Sequence, residues 1–96
     1  MTQKKSTRSE DVNDLLEVFS NMTEEDDIFA FLEDLFTVRE IRESSQRLAV
    51  AKLLSSGKSY FEIEKITGAS ATTIARVSKC LSNGSGGYAK ALEILR

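Results

Sequence analysis

Apolar residues recur along this chain at helical spacing. Val12, Leu15, Leu16 and Phe19 fall at i, i+3, i+4 and i+7, one stripe of a helix predicted over residues 9–21. Ile28, Phe31, Leu32, Leu35 and Phe36 make a second stripe. Ahead of it, Thr23-Glu24-Glu25-Asp26 offers a hydroxyl at the cap and acids in the first turn, where the helix dipole favours them. Thr37-Val38-Arg39-Glu40 has the spacing of a capping box and predicts a third helix running to about Ser55. Its second half, Leu48-Ala49-Val50-Ala51-Lys52-Leu53-Leu54, is apolar almost all round. Such a helix is buried on all sides, which in a short chain predicts a central helix with partner chains around it.

Ser56-Gly57-Lys58 breaks the pattern. Ser59-Tyr60-Phe61-Glu62 is a second capping box, opening a short helix to about Thr67. Gly68 supplies a turn, and Ser70 caps a helix to about Ser82. Asn83-Gly84-Ser85-Gly86-Gly87 reads as a flexible loop. Tyr88, Ala91, Leu92 and Leu95 stripe a last helix. No period-two alternation marks a strand, so the fold class is all-α. Residues 1–8 read as a loose polar arm, and residues 9–96 as one helical domain. Phe29 and Phe61 lie off the stripes and are predicted interface residues.

Residues 59–81 form the informative segment: a capped short helix, a glycine turn, a serine cap and a second helix. Ile74, Val77 and Leu81 line one side of that second helix. The pattern is a helix-turn-helix, with Glu64 where a small Ala is usual and Thr67 where Leu is usual. The major groove of DNA, roughly 12 Å wide, admits one helix. The end that enters needs short side chains, and Ser70, Ala71, Thr72 and Thr73 are all short. Their hydroxyls can meet phosphates or bases, and a Thr methyl can meet a thymine methyl. Arg76 and Lys79 follow one turn later, within reach of phosphate or guanine. Ser59, Tyr60 and Lys65 on the first helix are candidate phosphate donors.

Charge strengthens this reading once it is divided along the chain. The net charge of the 96 residues is −2. Residues 1–8 carry three bases. Residues 9–44 carry 12 acids and 2 bases, and residues 45–96 carry 8 bases and 3 acids. The helix-turn-helix therefore lies in a basic setting that the total conceals. The lack of His removes the commonest general base and metal ligand. One cysteine, Cys80, precludes an intrachain disulfide or a Cys-rich zinc site. It is expected to be a small buried apolar residue, not a redox switch. The run Glu24-Glu25-Asp26-Asp27 lacks the spacing of a calcium loop. No apolar run reaches the roughly 20 residues of a membrane span, and the polar start lacks a signal peptide's apolar stretch. A cytoplasmic protein is expected, with no membrane partner, no metal and no cofactor.

On these residues the chain resembles the tryptophan repressor superfamily, in its YerC/YecD-like branch. The resemblance covers about residues 12–95. It rests on Leu35-Phe36-Thr37, Leu53-Leu54, Ser59 with Glu62-Ile63, Gly68-Ala69, Thr73-Ile74 and Arg76. The run from Gly68 to Leu81, followed by Gly84-Ser85-Gly86-Gly87-Tyr88, is specific to the branch. The resemblance implies six helices per chain and an intertwined homodimer. It implies two reading heads on double-stranded DNA, acting as a repressor at a palindromic operator with half-sites roughly 34–36 Å apart.

The corepressor site of that family carries over only in part. The family holds tryptophan between two arginines, over a glycine that leaves room for the indole. One arginine matches Arg76. The other falls on Gln46, with Arg47 beside it. The glycine position is Val77, and a hydroxyl position near the ligand amine is Cys80. These departures weaken carboxylate capture and remove ring space, so tryptophan is not expected to bind. Val77 and Cys80 are expected to fill a vestigial pocket beside Gln46, Arg47 and Arg76. A helical interaction module without direct DNA contact is the competing function. An enzyme is disfavoured, since no nucleophile has an evident base and no phosphate loop is present.

Overall fold

The computed structural model describes residues 8–96. Apart from Arg8, the polar arm expected at the start of the chain lies outside the described residues. Among those described, the chain forms six helices and no strand. They are α1 (Glu10–Asn21), α2 (Glu25–Leu35), α3 (Val38–Ser55), α4 (Tyr60–Thr67), α5 (Ala71–Asn83) and α6 (Gly87–Leu95). They divide into two compact units, one holding α1 and α2, the other α3 to α6.

In the first unit, the Ser9 hydroxyl caps α1 by accepting from the Val12 N–H at 3.2 Å. The Phe19 and Phe31 rings meet edge to face, 5.4 Å between centroids, and join the stripes of α1 and α2. The cap of α2 differs from expectation. Glu24, not Thr23, is the cap residue, and no side chain bonds there. Glu25, Asp26 and Asp27 occupy the first turn, where their charge suits the exposed N–H groups without a capping hydroxyl. Neither helix contains a fully buried residue.

The second unit holds the core. Val50 and Ala51 of α3, Ile63 of α4, Ala69 of the turn, and Ile74 and Val77 of α5 are buried together. Leu53, Leu54, Leu81, Tyr88 and Leu92 close over them. Within the single chain, α3 encloses Val50 and Ala51 fully. Leu48, Ala49, Leu53 and Leu54 are half-buried and Lys52 is exposed. Phe29 is exposed, Phe61 is 68% exposed and Ile66 62%. No helix among the described residues is long and apolar enough to cross a membrane.

Candidate nucleic-acid interface

Local capping fixes α4. The Glu62 N–H donates to Ser59 Oγ at 3.1 Å, and the Ser59 N–H donates to Glu62 Oε1 at 2.9 Å. The bonds that Ser59 gives hold the Glu62 carboxyl below its ordinary pKa, with Lys58 adding a smaller attraction. The helix ends at Gly68, whose φ of 76° lies in the left-handed region, where glycine carries no steric penalty. The Gly68 N–H returns to the Glu64 carbonyl at 2.8 Å.

Thr67 braces the same turn. Its hydroxyl donates to the Ile63 carbonyl at 2.7 Å and accepts from the Ala69 N–H at 3.1 Å. Buried Ala69 then seats the turn in the core, and Ser70 opens α5. The Thr73 N–H donates to Ser70 Oγ, and the Ser70 hydroxyl donates to Thr73 Oγ1, both at 3.1 Å.

Ile74 and Val77 anchor the inner face of α5. Ala71, Thr72, Arg76 and Lys79 are exposed, and Thr73 is half-buried. No acidic side chain lies in α5. Ser59, Tyr60 and Lys65 are exposed on or beside α4. The Lys65 ammonium sits 5.4 Å from the centre of the Phe61 ring, a cation–π contact on the helix surface. The residues singled out on α5 thus share the exposed side of a short-chained, positively charged helix whose opposite side is core.

The residues of the expected vestigial pocket do not all converge. Gln46, Arg47 and Arg76 line a polar cavity of about 250 Å³, together with Glu43 and Thr73. Val77 is only 1% exposed and belongs to the core. Cys80 is exposed, which corrects the expected burial. It lies on the side of α5 that faces α6, beside Leu48, Gly84 and Tyr88. Glu43 carried no sequence signal as a lining residue. Neither did the bond from Gln46 Nε2 to the Thr67 carbonyl, 3.0 Å long across 21 residues of chain.

A family model described as Trp repressor protein matches residues 10–96. The chain belongs to the Trp repressor family. Within it, the chain is similar to the uncharacterized protein YerC of Bacillus subtilis (strain 168). The two are 37% identical over 86 residues, which is 90% of this chain and 83% of YerC. Among solved structures, a TrpR-like protein from Eubacterium eligens superposes with a TM-score of 0.87 at 36% identity. That match covers 92% of this chain and 91% of the other. A structure from Staphylococcus aureus gives 0.86 at 35% identity, over 92% and 88% of the two chains. The all-α Trp-repressor-like fold and the YerC-like branch expected from the sequence are thereby established.

Proposed function

We propose that this protein is a transcriptional repressor that binds a palindromic DNA operator as a homodimer, with α5 as its reading helix. The observation that carries the reading is the outward side of α5, where Ala71, Thr72, Arg76 and Lys79 are exposed with no acid among them. The paired hydroxyls add to it. The Ser70 and Thr73 hydroxyls carry two protons and their mutual bond uses one, so the pair keeps one for a phosphate or base acceptor. Membership of the Trp repressor family supports the same function. The half-exposed flanks of α3 and the uncovered apolar residues of α1 and α2 support a homodimer.

Tryptophan is not the effector in this reading. Val77 packs into the core, and its branched side chain leaves less room beside α5 than the glycine the family carries. Gln46 spends its amide on a backbone carbonyl and carries no charge for a carboxylate. The function requires neither a catalytic group nor a resident cofactor.

Selection of bound fragments from random DNA tests the proposal. The expected result is a two-fold motif with half-sites about one helical turn apart and an affinity falling steeply with salt, near −0.9 in log–log slope per phosphate neutralised. On that motif, Arg76→Ala or Thr73→Ala should cost about 1–3 kcal/mol where the side chain reads a base. A loss equal on all sequences assigns the residue to phosphate instead. No binding to any DNA at about 50 mM salt would sink the proposal and favour the interaction module.

A further inference from the structure

The α4–α5 turn satisfies itself almost completely. Thr67 uses its hydroxyl twice, and Gly68 returns its N–H to Glu64. The Thr67 carbonyl is different. It ends α4, where the last carbonyls have no donor within their own helix, and the left-handed Gly68 turns the chain away from it. Its donor is the amide of Gln46, from the middle of α3.

That bond is directional in a place where the other constraints are not. Val50, Ala51, Ile63 and Ile74 hold α3 against α4 and α5 through apolar contact, which resists separation but tolerates sliding and rotation. A hydrogen bond weakens steeply off its axis. Space lies on both sides of the Gln46 side chain. On one side is the polar cavity with Arg47 and Arg76; on the other is an open groove of about 540 Å³ along Ala49, Leu53 and Ile66. Packing alone therefore does not hold this side chain, and the bond to Thr67 does.

We infer that Gln46 is the positioning residue of the reading helix: its amide ties α3 to the α4–α5 turn and sets the angle at which α5 is presented, with no bound small molecule required. The part of this inference that concerns DNA rests on the function proposed above. Gln46 need not touch DNA. It acts through the Thr67 carbonyl, three residues before the Ser70 cap.

The test uses Gln46→Met, which keeps length and apolar bulk but has no donor, and Gln46→Lys, which restores one. Amide hydrogen exchange is measured on the free full-length protein. Gln46→Met should speed exchange at Gly68 and Ala69 while leaving the α6 amides at wild-type rates, and Gln46→Lys should reverse the change. Affinity is then measured on the selected operator and on random duplex. Gln46→Met should lose about tenfold on the operator, the scale of one buried carbonyl left unpaired, with little loss on random duplex. Wild-type exchange at Gly68 and Ala69 in Gln46→Met overturns the inference. So does an equal loss on operator and random duplex, which marks general weakening. If the wild type binds no DNA, the regulatory function fails, and the exchange experiment alone still decides whether Gln46 sets the turn.

Discussion

Thr67 stands where helix-turn-helix sequences usually carry leucine. A leucine would seal the turn by packing, whereas Thr67 seals it with a hydroxyl that reaches Ile63 and Ala69. Ser59 and Glu62 show the same economy at the other end of α4. The Glu62 pKa is lowered in the fold, so its contribution to stability is fully present above the ordinary glutamate value of 4.5. It is lost as pH falls through the lower, folded value. Titrating wild type against Glu62→Gln by circular dichroism should show the wild-type advantage shrinking below about pH 4.3 and staying constant above about pH 6. An unchanged difference at low pH would count against a charged Glu62 in the cap. These caps were legible because a capping box is written in four consecutive residues. Gln46 and Thr67 were not, because nothing in either residue announces a partner 21 positions away. The exposure of Cys80 was missed for a related reason. Type alone favours burial of a free cysteine, and only the rotation of α5 over its core decides the matter.

At the level of elements, two glycines end helices for different reasons. Gly68 is held at a φ of 76° with open space around the missing Cβ. Gly68→Ala therefore meets no clash and loses only conformational preference, about 1–2 kcal/mol. Thermal or urea unfolding should register that loss, and a neutral result would mean that the turn relaxes out of the left-handed region. At Gly84, by contrast, a Cβ would fall on the Cys80 carbonyl that its own N–H binds. Helix positions were largely readable because stripes and caps agreed. The start of α2 was not, since a threonine followed by three acids offers two ways to begin a helix. The dipole of the first turn decided it, one residue later than the hydroxyl would have. For α3, sequence registered how apolar the helix is, and the chain's own helices enclose Val50 and Ala51 of that surface.

Across the whole molecule, sequence reveals a division of labour that composition averages away. The acidic stretch coincides with α1, α2 and the start of α3, and the basic stretch with the helix-turn-helix and α6. The core belongs to α3 through α6 alone. In α1 and α2 and at the C-cap of α2, Val12, Leu16, Leu35 and Phe36 remain exposed despite lying on the apolar stripes. Burial of such side chains is worth roughly 1.5–3 kcal/mol each when complete, so a second copy that covers them adds substantially to stability. The unfolding midpoint should accordingly rise with protein concentration. A midpoint constant over a hundredfold dilution would exclude that cover.

Two helices without one fully enclosed side chain have a consequence for the cell as well as for the fold. Ordering them alone returns little of the entropy that fixing their backbone costs. In the homodimer proposed above their cover comes from a second copy, so their structure would depend on how many copies of the chain are present, and at low abundance they would be the segment open to proteases. Copy number would act as a threshold on the regulator itself, below which newly made chains are cleared before they can occupy a site.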